Sequence, residues 1–353
     1  MTTAPRRALP PDDNPPADPL YWGRHAVDSQ PTDSVRGTPP NPDAAISVRG
    51  LTKRFGSFTA VDGIDFDVAR GSIVGFLGPN GSGKTTTIRM LTGTSAPDAG
   101  QALVLGEDVV EHPERVRQRF GYMSQKFALF EDMTVEENLR FYAGVYDLSP
   151  ERFAQQRAYV LQMADLQGRE NELTANLSVG WRQRLALGTA TIHDPELLFL
   201  DEPTGGVDPV ARRQFWDLLY ELAGRGVTLF VTTHYMDEAS HCNRLAFIYR
   251  GGLIAEGAPA EIRHDLLTER VIEVRVADVD GALAWLERAP GVEEAYLSGV
   301  SLHAVIDPAA TAVDGVLPTF TRGLREAGFS DAVVGLVEPT LEDVFVNLVA
   351  RAK

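Results

Sequence analysis

The stretch "GPNGSGKTT", from Gly78 to Thr86, has the spacing G-x-x-x-x-G-K-[ST]. Gly78, Pro79, Asn80, Gly81, Ser82 and Gly83 form a loop whose glycines let successive backbone N–H groups curl toward one phosphate. The helix that follows adds the positive end of its dipole. Lys84 is placed to reach the β- and γ-phosphates of a nucleotide. Thr85 offers a hydroxyl to Mg²⁺, and Thr86 stands beside it in the first helical turn. A glycine-rich turn with a chance lysine is the plain alternative. The apolar "GSIVGFLG" before the loop and the helical "GKTTTIRMLTG" after it argue for the phosphate loop.

Two more stretches end an apolar strand on groups that titrate or bind ions. In "LLFLDEP" the acids come where the strand emerges, and a parallel sheet binds ligands at the carboxyl ends of its strands. Asp201 is therefore expected to hold Mg²⁺, directly or through water. Glu202 is left to orient or deprotonate an attacking water. A solvated acidic turn is the bland alternative. In "VTTHYMDEA" the strand ends at His234. Such a histidine is more often structural, but a strand neighbouring that of Glu202 would bring it to a γ-phosphate.

A fourth stretch, "LSVGWRQRLALG" from Leu177, raises a question instead. Ser178 is a natural N-cap. Yet Gly180 weakens the first turn by roughly 1 kcal/mol against alanine, and Trp181 stands where a capping-box Glu would help.

These residues need an α/β frame to hold them. "PELLFLDEP" and "GVTLFVTTH" are near-continuous apolar runs, as in a parallel sheet covered on both faces. Helical patterns lie over 151–166, 179–192 and 209–223 between such strands. "AISVRGLTKRFG" and "FTAVDGIDFDVARG" alternate as antiparallel strands, so a small antiparallel subdomain is expected ahead of the core in sequence. Beyond about residue 264 the order β-α-β-β-α-β predicts a ferredoxin-like domain, closed by a last helix in "TLEDVFVNLVARAK". Residues 1–43 hold ten prolines among polar residues and read as a disordered tail. The expected division is thus a tail (1–43), a nucleotide-binding domain (44–264) and an accessory α+β domain (265–353). The acids of that last domain, such as Glu293, Glu294 and Asp307, form no metal-like pattern with histidine or cysteine.

Composition narrows the partners. The chain has 353 residues with 33 Lys and Arg against 49 Asp and Glu, a formal charge of −16. That disfavours nucleic acid and loose adhesion to an anionic membrane. One cysteine, Cys242, permits no internal disulfide. No apolar run approaches the roughly 20 residues of a membrane span, and "ALPPDDNPP" after Arg6 and Arg7 is no signal peptide, so a soluble, cytoplasmic chain is expected.

Five segments stand in one order: "GPNGSGKTT", "YMSQKFALF", "LSVGWRQR", "LFLDEPTGGVD" and "VTTHYMDEA". Over about 46–264 this strongly resembles the nucleotide-binding subunit of ATP-binding-cassette (ABC) transporters. The resemblance implies a P-loop NTPase cassette with a RecA-like parallel core, an antiparallel β subdomain and a helical subdomain. It also implies ATP and Mg²⁺ as ligands. By its motifs Phe55 matches the aromatic that stacks on adenine. Gln125 matches the glutamine that senses Mg²⁺ and water and links the site to the membrane subunit. Ser178 and Gly180 match the signature motif, and Asp208 the aspartate that crosses between two sites. Phe55 as plain core and Gln125 as a solvated loop residue are the alternatives. The usual signature is Leu-Ser-Gly-Gly-Gln; here Val179 and Trp181 replace its first glycine and its glutamine. Trp181 either packs on the ribose or anchors the helix.

The variant signature and "PTLEDVFVNL" look like daunorubicin-resistance exporters. Those pair an ATPase at the cytoplasmic face of the membrane with separately encoded permease subunits and a second cassette, alike or different. A soluble ABC protein acting on ribosomes or DNA, and a regulatory cassette with little turnover, are the competing classes.

Overall fold

The structure is a computed structural model and describes residues 38–265, 270–307 and 315–351. The expected tail lies outside these residues up to position 37. Residues 38–43 already lead into the fold, where the Asn41 N–H donates to Ser47 Oγ at 2.8 Å.

A six-stranded sheet runs in the order Gly252–Gly257, Arg244–Tyr249, Ile73–Leu77, Thr228–Thr233, Leu197–Asp201, Phe120–Met123. The last five strands are parallel, and only the Gly252–Gly257 edge is antiparallel. Apolar residues face both ways along each central strand, which is why the sequence runs are continuous rather than alternating. Phe199 and Phe230 turn to one side, with Phe66 and Phe76; Leu198, Leu200, Leu229 and Val231 turn to the other. The aromatic side packs in stacked, tilted and edge-on contacts with ring centroids 5.3–6.0 Å apart.

That aromatic side is covered by an antiparallel sheet in the order Phe58–Val68, Ile46–Phe55, Ala99–Val104, Glu107–Asp108. The sheet does not lie wholly ahead of the phosphate loop, as the sequence suggests. Ala99–Val104 comes after the helix Lys84–Leu91 and pairs with Ile46–Phe55. "AGQALV" is too short and weakly alternating to announce itself. Pairing nonetheless satisfies a row of backbone groups that an open edge would leave bare.

The opposite side is covered by helices, among them Pro209–Gly224, with buried Trp216 and Leu219, and the helical group Val135–Val145, Pro150–Met163 and Val179–Thr191. Val135–Val145 escapes the sequence reading although its start is marked. Thr134 and Glu137 form a reciprocal capping box.

After residue 270 a four-stranded antiparallel sheet runs Val292–Ser298, Ser301–Ile306, Arg270–Arg275, Val333–Val337. Helices Val279–Leu286 and Val316–Glu326 cover one face over a core containing Ile272, Leu302 and Phe320. This is the ferredoxin-like arrangement. The other face joins the large core through Val271 and Val305. The last helix, Leu341–Arg351, seals that join: Leu341 and Val344 are buried in the same core, and the Phe345 ring lies 5.5 Å from that of Phe247.

Candidate functional site

The strand order decides the site. Thr228–Thr233 lies between the strand that feeds the phosphate loop and the strand that ends at Asp201. Three carboxyl ends therefore open side by side, the place where a parallel sheet takes its ligand. They deliver Lys84, the pair Asp201 and Glu202, and His234 to one spot.

In the loop, a Cβ on Gly78 would stand 2.2 Å from the Ile248 carbonyl oxygen, and one on Gly83 would stand 2.5 Å from that of Ala60. Gly83 also has φ +114°, so both positions demand glycine. Pro79, Asn80 and Gly81 form the exposed crest, while Ser82 is buried. The Ser82 hydroxyl has no hydrogen-bond partner among the described residues. Thr86 is half-buried on the first turn beside Thr85.

Lys84 is almost wholly buried and satisfies its three donors locally. Nζ lies 2.8 Å from Gly78 O, 3.2 Å from Pro79 O and 3.1 Å from Glu202 Oε1. Glu202 is the hub. Gln125 Nε2 donates to its Oε2 at 3.0 Å, and His234 Nδ1 stands 3.2 Å from the same oxygen. The histidine contact has ion-pair distance but not the direction of a hydrogen bond, and Nδ1 is otherwise unpartnered. The Glu202 backbone lies at φ +48°, unusual for a residue with a side chain and a typical store of strain at functional sites.

Asp201 sits one residue back. Burial pushes its carboxyl above the usual range; hydrogen bonds from Thr232 and Thr85 pull the other way, and the adjacent Glu202 charge adds to the rise. Thr232 Oγ1 donates to Asp201 Oδ1 at 2.6 Å, and Thr85 Oγ1 lies 3.5 Å from it. Thr232 is part of the site that the sequence reading missed. It becomes visible only through the register that sets Asp201 opposite it. A hydroxyl and a carboxylate on one side of a phosphate loop are the hard oxygen donors that Mg²⁺ takes, so these residues fit that ion.

Five candidates stand apart from this hub. Phe55 ends its strand half-exposed, at 49%, with Lys53 Nζ 5.7 Å from the ring centre; it is not core. Ser178 begins the helix Val179–Thr191, and its carbonyl accepts from the Arg182 N–H at 2.9 Å, but its hydroxyl accepts no hydrogen bond from that helix, and the residue is exposed. A Cβ on Gly180 would meet only Ala211 Cβ, at an ordinary 3.5 Å, so packing within this chain does not require the glycine. Asp208 does cap a helix. Its Oδ1 accepts from the N–H groups of Val210 and Ala211, each at 3.0 Å. Trp181 packs against the guanidinium groups of Arg169 and Arg184, 4.2 and 5.3 Å from the ring centre, and on the large core. That arrangement anchors the helix.

No group of three metal-binding side chains occurs among the described residues, and no described helix is long and apolar enough to cross a membrane. Cys242 is buried, with its thiol pushed up by desolvation, and packs as a small hydrophobe.

The chain is similar to known proteins in sequence and in fold. The profile of the ABC transporter family matches residues 61–205. A probable multidrug ABC transporter ATP-binding protein of Escherichia coli is 46% identical over 230 residues, 65% of this chain but only 39% of the relative's length. A daunorubicin resistance ATP-binding protein of Streptomyces coeruleorubidus is 38% identical over 87% of this chain and 96% of its own. Among solved structures, a protein of Clostridium perfringens described as part of an ABC transporter complex matches 63% of this chain and 92% of its own, at 26% identity and a TM-score of 0.59. With the phosphate loop, the acid pair, the glutamine and the histidine gathered on one sheet edge, and a relative matched over nearly its whole length, the chain belongs to the ATP-binding subunits of ABC transporters.

Proposed function

We propose that this chain binds and hydrolyses ATP at the Glu202 hub and drives separately encoded membrane permeases in export. The observation that carries the reading is the convergence of Lys84, Gln125 and His234 on one buried carboxylate. Lys84 is shared between that carboxylate and two loop carbonyls. Phosphate oxygens, richer in charge than carbonyls, would draw the ammonium away and free Glu202 to accept a proton from water. His234, with its unpartnered Nδ1, would contact the γ-phosphate, and the Ser82 hydroxyl and loop N–H groups the rest of the phosphate chain. Phe55 offers an exposed ring for adenine. Thr85 and Asp201 would hold Mg²⁺, with Gln125 near by, and the ion bound there would supply charge neutralisation for the phosphoryl group.

Ser178 and Gly180 would serve the nucleotide of a second cassette. Support comes from an N-cap serine whose hydroxyl caps nothing and a glycine that packing in its own chain does not require. Two cassettes related by a twofold axis would each lend that helix start to the other's phosphate. Asp208, held at a helix start, would lie near the crossing. The partners are then a second cassette and permeases, and the place is the cytoplasmic face of the membrane. The relatives named for multidrug transport and daunorubicin resistance support export over the soluble and regulatory classes.

Mixing two variants tests this reading. Ser178→Arg should leave ATP binding by single chains intact while abolishing ATP-driven dimerisation and hydrolysis. Lys84→Ala should fail at binding. In a homodimer, an equal mixture rebuilds one complete site in each mixed pair, restoring about a quarter of full activity with random pairing. Normal dimerisation and turnover by Ser178→Arg, read by light scattering and an ATPase assay, would sink it.

A further inference from the structure

The turn after the acid pair is clamped from three elements. Glu202 holds its unusual φ of +48° with its N–H 3.1 Å from both the carbonyl oxygen and Oγ1 of Thr232. One residue on, Gln183 Nε2 donates to the Pro203 carbonyl at 2.6 Å, from a side chain in a residue only 1% exposed. One further on, the buried Thr204 hydroxyl donates to the buried Glu238, on the short helix Met236–Ala239 that follows His234.

The middle clamp reaches furthest. Gln183 lies on the helix that Ser178 begins, five residues and about 7.5 Å along its axis. Pro203 has no N–H to anchor its own turn, and its ring restricts the backbone of Glu202 before it. The turn that carries Glu202 is thus held, beyond the bonds of the Glu202 N–H to Thr232, from outside at the Pro203 carbonyl. Along one rigid helix and one buried hydrogen bond, the exposed start at Ser178 is joined to the acid that faces the phosphate loop.

We infer that Gln183 is a positioning residue: its bond to the Pro203 carbonyl aims the Glu202 carboxylate and ties that aim to the seat of the signature helix. A cassette whose Ser178 end is engaged by a partner would thereby set its own base. The inference rests on the reading of Glu202 as general base and of Ser178 as serving a second cassette.

The test uses the full chain. Gln183→Met keeps the volume and removes the donor; Gln183→His keeps a ring N–H at similar reach. Gln183→Met should lower kcat about 10- to 100-fold with KM for ATP changed less than about threefold, and Gln183→His should restore most of it. In a Glu202→Gln background, Gln183→Met should change the residual single-turnover rate by less than about twofold, since the residue acts through Glu202. Turnover of Gln183→Met near that of the parent overturns the inference. So does an equal loss in Gln183→His, or a further tenfold loss on top of Glu202→Gln. Near-normal turnover of Glu202→Gln alone overturns the general-base reading and this inference with it, and it is seen before Gln183 is touched. Should Gln183→Met not fold, Gln183→Ala takes its place; failure of both to fold assigns the residue to packing and overturns the proposal.

Discussion

Asp343 and Glu202 are both buried acids in hydrogen-bond networks, and they differ in what is left over. Asp343, in the C-terminal helix, is fully buried, and both of its oxygens are engaged on every side. Oδ1 accepts from the Tyr296 hydroxyl and lies 2.7 Å from His303 Nδ1; Oδ2 accepts from Thr340 N at 2.5 Å and Thr340 Oγ1 at 2.8 Å. The Asp343 N–H returns a bond to Thr340 Oγ1 at 3.2 Å, closing a capping box. Glu202 is also buried, yet it keeps a strained backbone, a lysine shared with two carbonyls and a histidine off the hydrogen-bond line. The unpartnered Ser82 hydroxyl belongs to the same loop region. A histidine, an aspartate and a tyrosine in contact thus do not make an active site by themselves. A satisfied network stabilises one structure, whereas a strained and partly satisfied one at an open sheet edge is poised for a ligand.

The comparison predicts opposite responses to substitution. The largest effect should be that of Glu202→Gln, which is nearly isosteric. Turnover should fall by roughly 10²–10⁴ while ATP binding, followed by calorimetry, persists. Little change in a steady-state assay would remove the contrast. Next, Asp343→Ala should cost about 2–4 kcal/mol of stability in urea unfolding, because it strips buried donors of their acceptor and uncaps a helix. Its turnover per folded molecule should remain within about threefold of the parent. A turnover loss as deep as that of Glu202→Gln, at unchanged stability, would make the C-terminal network a second functional centre. The smallest effect should come from Tyr296→Phe, which deletes one donor and leaves the rest of the network. A loss of about 1 kcal/mol is expected, with no change in kcat. A kcat change there would show that the C-terminal domain speaks to the ATP site through this network.

The domain division shows a related limit of reading along the chain. The shift of pattern near residue 264 marks where a second sheet begins, and the order β-α-β-β-α-β is legible in alternation and turn residues. The packing does not respect that boundary. Leu341, Val344 and Phe345 return to the large core beside Phe247 and Ile262. An amphipathic helix shows in its sequence that it has a face to bury, but not which surface will accept it.

Local spacing alone determined the phosphate loop, the strand-ending acids and histidine, the ferredoxin-like order and the helix that starts at Ser178. Each of these is written within a few neighbouring residues, where backbone geometry and hydrophobic period act directly. Tertiary structure alone decided the partners. It set Thr232 opposite Asp201 through sheet register and placed Trp181 against Arg169 and Arg184. It left the Ser178 hydroxyl without a bond to its own helix while Asp208 caps another. It also brought Gln183 to the Pro203 carbonyl, 20 residues away. The physical reason is common to all four. A side-chain hydrogen bond or ring contact is fixed by which elements pack together, and packing follows the burial of whole faces, to which no short stretch of sequence commits on its own.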